Sequence, residues 1–265
     1  VWSSDKYPGY VMNGLDIKQI IEKIPAKATV IGFNAMFSSE WPISRDLIKA
    51  VRESFPNATL IAGGEHITSL TEHSLRDCPS LNACIRGEGE DKFLNFVEQV
   101  MAGTSIDSIQ GICFIDEKGE YRESGGLERV RNLETIPWPW WPDGYLEQFW
   151  SASKSAGAGT GRDMPMLLSR GCPYQCTFCS SPNMWTTRYV LRDIDDTINE
   201  IKYYIGKYDI KSIQLYDLTA ITKKRWIVDF CNRLLSEKIE LKWSVPQGTR
   251  SETLDAETLS LLKQT

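Results

Sequence analysis

Three cysteines fall within one short stretch, RGCPYQCTFCSSP (residues 170–182): Cys172, Cys176 and Cys179. Their spacing is Cys-x3-Cys-x2-Cys. A structural zinc site takes four ligands, usually as two close pairs. A bacterial ferredoxin run supplies its fourth cysteine soon afterwards. Neither pattern fits, because the next cysteine, Cys231, lies inside an apolar helical stripe. Three thiolates on a 4Fe-4S cluster would leave one iron without a protein ligand, open to a bound molecule. Structural zinc, or cysteines gathered by chance, is the competing reading. Gly171 eases the entry to the loop, Pro173 stiffens it, and Phe178 is placed to shield a cluster edge.

The elements around this loop must hold it. MLLSR (166–170) reads as a strand feeding it. Ile194, Ile198, Ile201, Ile205 and Tyr208 recur on one helical face, with Asp193, Asp195 and Asp196 in the first turn, where carboxylates suit the helix dipole. SIQLYD (212–217) is the next strand, Ile227 to Leu235 the next helical stripe, and LKWSVPQG (241–248) a third strand. DAETLSLLKQT (255–265) begins another helix.

The first half alternates in the same way. TVIGFNAMF (29–37), ATLIAGG (58–64) and NACIRGEGE (82–90) read as buried strands, separated by helical stripes, and VMNGLDIKQIIEKI (11–24) as a leading helix. IQGICFIDEKGEYR (109–122) reads as a strand, a turn at Lys118-Gly119 and a return strand. Alternating strands and helices imply a parallel, doubly wound sheet with its ligand beyond the carboxyl ends of the strands. Those ends are Ser38, Gly63-Gly64 with His66, and Gly87-Glu88. Between the halves, ETIPWPWWPDG and SASKSAGAGTG break the pattern. Residues 123–165 are expected to form a connector, packed down by Trp138, Trp140 and Trp141.

Bulk composition limits the classes. The chain has 265 residues, 42% of them hydrophobic and 25% charged, as in a globular protein of about two domains. No apolar run reaches the roughly 18 residues a membrane span needs. The net charge of −5 gives no bulk attraction to nucleic acid, so neither membrane nor nucleic acid is an expected partner. Seven cysteines without a secretory start point to reduced thiols or metal ligands and a cytoplasmic location. Cys78, Cys84, Cys113 and Cys231 read as core fillers.

RGCPYQCTFCSSP resembles the signature loop of the radical SAM superfamily. TVIGFNAMFSS, LIAGGEHIT and CIRGEGEDKF resemble the cobalamin-binding domain of its B12-dependent subfamily. The resemblance implies an α/β chain with a Rossmann-like cobalamin-binding domain at 1–122, lacking its first strand. The connector follows, then the first half of a partial (β/α)6 barrel at 166–265. It implies a 4Fe-4S cluster on Cys172, Cys176 and Cys179, and S-adenosylmethionine (SAM) chelated by the open iron. Phe178, Asp217, Gln247 and Arg250 would lie around SAM. Leu218-Thr219 follows Asp217 where the family more often has glycine and glutamate. Ser38, Gly63, Gly64, His66, Gly87 and Glu88 would lie around cobalamin. Neither His66 nor His73 sits in an Asp-x-His-x-x-Gly motif, so the resemblance does not imply a histidine on cobalt.

The activity so implied is reductive cleavage of SAM to a 5′-deoxyadenosyl radical, followed by methyl transfer from methylcobalamin to an unactivated carbon. Ring formation or rearrangement is the alternative within the subfamily, and a methylthiotransferase the alternative beyond it. The latter would need a second cluster, for which Cys78, Cys84 and Cys113 make a poor ligand set. An iron–sulfur electron-transfer module is the non-enzymatic alternative. Expected partners are a small-molecule substrate (a secondary metabolite, lipid or cofactor precursor) and an electron donor such as flavodoxin or ferredoxin. Three barrel strands where the superfamily has six, and abrupt ends, suggest an excerpt of a longer chain that would not turn over substrate alone.

Overall fold

A computed structural model describes residues 3–126, 129–152 and 161–265. Most of the SASKSAGAGTG stretch of the expected connector lies outside the described residues. The chain divides into two compact units, 1–129 and 130–265.

In the first unit α1 (Ile17–Lys23) precedes β1 (Val30–Asn34). Then follow α2 (Trp41–Ser54), β2 (Thr59–Gly63), α3 (Glu65–Ser69), α4 (Thr71–Asp77), β3 (Ala83–Cys84), α5 (Glu90–Met101), β4 (Cys113–Ile115) and β5 (Tyr121–Glu123). The five strands form one sheet in sequence order. β1, β2 and β3 are parallel, and the β4–β5 hairpin is added antiparallel to β3. Period-2 alternation explains why both faces are covered. Leu60, Ala62, Cys84 and Cys113 pack with Ile48 and Val51 of α2 and Ile67 and Leu75 of α3 and α4. Their strand neighbours Ile61, Ala83, Ile85, Ile112 and Phe114 pack on the other face with Phe96 of α5. Full burial of each such aliphatic side chain contributes about 1.5–3 kcal/mol.

The expected strands are present but shorter. β1 ends at Asn34 because the Ala35 carbonyl leaves the ladder to accept the His66 N–H at 3.1 Å. The first helix starts at Ile17 rather than near 11. Asp16 forms a capping box with Gln19, and Gly14 just before it has a φ of 111°.

The second unit contains α6 (Tyr145–Ser151), β6 (Asp163–Met166), β7 (Ser169–Arg170), α7 (Ser181–Trp185), β8 (Val190–Leu191) and α8 (Ile194–Tyr208). It continues with β9 (Ser212–Leu215), α9 (Lys224–Ser236), β10 (Lys242–Ser244) and α10 (Ala256–Leu262). Its main sheet has the order β10-β9-β6, all parallel, with β7 and β8 as a separate antiparallel pair. Met164, Met166, Ile213 and Leu215 pack on Ile198, Ile201, Ile227 and Phe230 of α8 and α9. The expected strand at 166–170 is thus two pieces: β6 pairs with β9 up to Met166, and Ser169–Arg170 turns away to pair with β8.

Much of the expected connector is built into this unit. Leu146 and Trp150 of α6 join its core, and the Trp150 indole N–H donates to the Asp163 carbonyl at 2.8 Å. Of the three tryptophans expected to pack, Trp138 donates to Asp196 at 2.8 Å and Trp141 stacks on Tyr145 at 5.8 Å. Trp140 does not pack: it is 76% exposed, flanked by Pro139 and the chain's turn toward Pro142.

Candidate functional site

In the second unit the cysteine loop leaves the sheet after β6. The turn is fixed before the first cysteine. The Leu168 N–H donates to both carboxylate oxygens of Asp217 at 3.1 Å, and the Ser169 hydroxyl donates to the same carboxylate. The Leu168 carbonyl accepts from the Arg192 N–H at 2.9 Å, and the Arg192 guanidinium donates to the Leu167 carbonyl at 3.1 Å. Arg192 is itself held by Asp196 and Glu200 on α8. Gly171, with a φ of 89°, then takes the chain into the loop in a conformation that L side chains rarely adopt.

Cys172, Cys176 and Cys179 are free thiols, each partly exposed, whereas the other four cysteines are buried. The Cys179 N–H donates to the Cys176 carbonyl at 3.0 Å, closing a tight turn between them. Hydrogen bonds from the Ser181 hydroxyl and backbone hold the Cys179 thiol below its ordinary pKa, favouring the thiolate a metal requires. Burial pushes the thiols of Cys78, Cys84, Cys113 and Cys231 up, which suits packing rather than ligation. No group of three metal-binding side chains among the described residues converges on one ion-sized point. An iron–sulfur cluster takes each thiolate on a different iron. Three accessible thiols on one loop fit the cluster.

The other residues expected near this loop are placed differently. Arg250 is brought to it: its guanidinium lies 4.1 Å from the centre of the Tyr174 ring, within the loop, and its Nε donates to Glu252 at 2.7 Å. Phe178 is 91% exposed and covers nothing within its own unit. Gln247 is exposed in the turn after β10. Asp217 was expected to face a ligand, but it is 1% exposed and spends its carboxylate on Leu168 and Ser169. Burial raises its pKa to about 6, with the hydrogen bonds from Ser169 and Leu168 opposing the rise. Ser169 and Arg192 lie outside the cysteine motif and Tyr174 inside it without an expected role, and only the folded geometry reveals their part.

In the first unit the three strand-end loops are joined by two side chains of α3. His66 is buried, with Nδ1 2.9 Å from the Ser38 hydroxyl, Nε2 3.2 Å from the Ser74 hydroxyl, and its ring stacked on Trp41 at 4.7 Å. Burial lowers its pKa. Thr68 donates to the Gly64 carbonyl at 2.9 Å and accepts from the Gly87 N–H at 3.0 Å. Gly64 has a φ of 105°, and a Cβ there would meet the Ala35 carbonyl oxygen at 2.5 Å. The close approach of the first two loops therefore depends on this glycine. Gly87 also has a positive φ, 71°. Glu88 turns inward to a buried ion pair with Arg129 at 3.3 Å. At these strand ends Ser38 is exposed and Gly63, Gly64 and Gly87 are partly exposed, with Met36 and Phe37 exposed beside Ser38. Glycines at such positions let a broad, flat macrocycle approach the backbone. His66 and Glu88, in contrast, are buried.

The B12 binding domain family matches residues 10–97. The chain is 26% identical over 249 residues to an uncharacterized methyltransferase of Pyrococcus horikoshii, covering 94% of this chain and 51% of that protein. It is 25% identical over 256 residues to the anaerobic magnesium-protoporphyrin IX monomethyl ester cyclase of Rubrivivax gelatinosus, covering 95% and 45%. Among solved structures it superposes on the radical SAM methyltransferase TsrM of Kitasatospora setae with a TM-score of 0.70 at 14% identity, covering 93% and 48%. Over most of its length the chain is thus similar to enzymes of the B12-dependent radical SAM type, and residues 10–97 match the B12 binding domain family. The chain spans about half the length of the curated relatives it matches. The residues matched by the B12 binding domain family lie in the first unit, and the likeness to TsrM shows the fold of the chain. No helix of the described residues is long and apolar enough to cross a membrane.

Proposed function

We propose that the protein cleaves SAM reductively and uses the resulting 5′-deoxyadenosyl radical to methylate an unactivated carbon of a small molecule in a cobalamin-dependent reaction. The observation that carries this reading is the set of three free, accessible thiols on the loop after β6, apart from four buried ones. When bound, the cluster supplies one electron to SAM and the cobalamin serves as methyl carrier. Cys172, Cys176 and Cys179 would hold the cluster, and Asp217 with Arg192 would fix the loop that presents it. Arg250, stacked over Tyr174 at the same loop, is placed to meet a carboxylate such as that of SAM. The electron would come from an external donor of the flavodoxin or ferredoxin type. The first unit would hold the corrin at the strand ends marked by Ser38, Gly63, Gly64 and Gly87.

A second reading is ring formation by the same radical, favoured by the relative named as a magnesium-protoporphyrin monomethyl ester cyclase. The two separate cleanly. The protein, at the length its gene encodes, is reconstituted anaerobically with iron, sulfide and cobalamin and supplied with SAM bearing a deuterated methyl group. Formation of 5′-deoxyadenosine supports the shared first step. Transfer of the deuterated methyl group to a product supports methylation. A product lacking the label supports ring formation. Absence of 5′-deoxyadenosine under reducing conditions would remove both.

A further inference from the structure

We infer that Glu134 and Trp138 are positioning residues for the cysteine loop, acting on its root through Arg192. The inference rests on the reading of that loop as the cluster site and says what holds it in place. Both residues belong to the stretch whose sequence suggests only a connector. The root of the loop is Leu167 and Leu168, and Arg192 grips it twice. Its main-chain N–H donates to the Leu168 carbonyl at 2.9 Å, and its guanidinium donates to the Leu167 carbonyl at 3.1 Å. An arginine has many rotamers, so this grip is only as exact as the groups that fix the guanidinium. Two carboxylates of α8 do so. Asp196 accepts from Nε at 3.2 Å and from Nη2, and Glu200 accepts from Nη1.

The connector fixes these carboxylates in turn. One guanidinium faces two carboxylates, so a further donor on either of them stabilises the excess negative charge. The Trp138 indole N–H supplies it, donating to the other oxygen of Asp196 at 2.8 Å. The Tyr204 hydroxyl stands between Glu200 and the Pro139 carbonyl, 3.4 Å from the latter. Glu134 meets the same corner from the main-chain side, where its carboxylate accepts the Asp193 N–H at 2.7 Å. Asp193 caps α8 by accepting the Asp196 N–H at 3.0 Å, so Arg192 is fixed just before the helix. Glu134 is itself set in a single turn, Leu133–Thr135, in which Leu133 is buried and the Asn132 side chain accepts the Glu134 N–H at 3.2 Å. The connector therefore clamps the corner at 192–196 at two points, and that corner holds the root of the loop.

The test is amide hydrogen exchange on the protein at the length its gene encodes, without cofactors, for wild type and three variants. Trp138→Phe removes the donor to Asp196 but keeps a ring beside Tyr203, 5.7 Å away in the wild type. Glu134→Ala removes the acceptor of the Asp193 N–H, and Glu134→Gln keeps an acceptor oxygen there. Trp138→Phe and Glu134→Ala should each speed exchange by about tenfold in the segments 167–171 and 189–193, as a local opening does. Exchange in the β9 segment 212–216 should be unchanged, and Glu134→Gln should match wild type throughout. Unchanged exchange in 167–171 would overturn the clamp. Equal acceleration in 212–216 would show that the two residues merely stabilise the whole unit, and would overturn it as well. So would Glu134→Gln behaving as Glu134→Ala does, since the acceptor would then not be what matters. Failure of the cluster reading would show instead as wild-type protein that takes up no iron, and leaves these rates untouched.

Discussion

Asp217 holds the backbone of Leu168 from 49 residues away, with each carboxylate oxygen 3.1 Å from the Leu168 nitrogen. The strand after which the cysteine loop departs is therefore anchored by the end of the neighbouring strand. A buried carboxylate is a costly anchor, and burial raises its pKa from 3.8 to about 6.

The pH dependence follows from that rise. Between pH 4 and 6 the folded chain binds more protons at Asp217 than the unfolded chain does. On this account stability is greatest below pH 4 and falls as pH rises to 6. The shift corresponds to about 3 kcal/mol. Urea unfolding of wild type and Asp217→Asn should show the variant gaining on wild type by up to that amount between pH 4 and 7, then no further. A difference that does not vary with pH would count against a raised Asp217 pKa.

Gly64 sets the approach of the first two strand-end loops. Its φ of 105° is a conformation almost confined to glycine, and a Cβ would come within 2.6 Å of the Asn34 Oδ1 as well as striking the Ala35 carbonyl. Gly64→Ala should destabilise the first unit by about 1–3 kcal/mol and reduce corrinoid uptake. Gly119→Ala also has a positive φ, but nothing lies within 4 Å of its Cβ. It should cost less and leave uptake unchanged. Equal effects of the two would show that backbone strain alone, rather than loop contact, is at work.

How much of this was legible in the sequence differs by residue. The strand–helix alternation is a local pattern and is present, with shorter elements than read, and the three cysteines stand on one loop. The shortened strands were not legible, because β1 ends where the Ala35 carbonyl finds a donor on α3, a contact that spacing does not encode. Asp217 was placed correctly in the chain and wrongly in its direction, since the need of Leu168 for an acceptor appears only once β6 and β9 lie side by side. Thr68 closes the stretch LIAGGEHIT without an expected role, yet it joins the Gly64 and Gly87 loops. α6 was hidden by its surroundings: prolines on its N-terminal side mask the apolar pair Leu146 and Trp150 that fold it onto the core.

His66 gives a test of its own. Both ring nitrogens are engaged, by Ser38 and Ser74, so neither faces outward as a metal ligand. His66→Phe should keep the stack on Trp41 but lose both hydrogen bonds, lowering stability by about 1–3 kcal/mol. Because burial lowers the His66 pKa, its contribution is full above the ordinary value of 6.5 and is lost as pH falls below it. The wild-type advantage over His66→Phe should therefore shrink in acid. In protein loaded with cobalamin and reduced to the cobalt(II) state, electron paramagnetic resonance should be the same for both. A nitrogen splitting present in wild type and absent from His66→Phe would make His66 a cobalt ligand and overturn its role as a brace.

The three loop cysteines should act as one unit. Cys172→Ala, Cys176→Ala and Cys179→Ala should each remove bound iron and the visible absorption of the reconstituted protein. Fold stability should change little, since the three thiols are partly exposed and outside the core. Cys231→Ala should do the reverse. Its thiol is buried at 0% exposure beside Phe230 and Leu234, so truncation leaves a small void and lowers stability while iron content is unchanged. Ser181→Ala separates ligation from acidity. It removes the hydroxyl that helps hold the Cys179 thiol below its ordinary pKa, so cluster assembly should require a higher pH without loss of final iron content. Iron measured against pH for wild type and Ser181→Ala decides this. Coincident curves would leave Ser181 without a role at the loop, and full iron content in any of the three single cysteine variants would remove the cluster assignment itself.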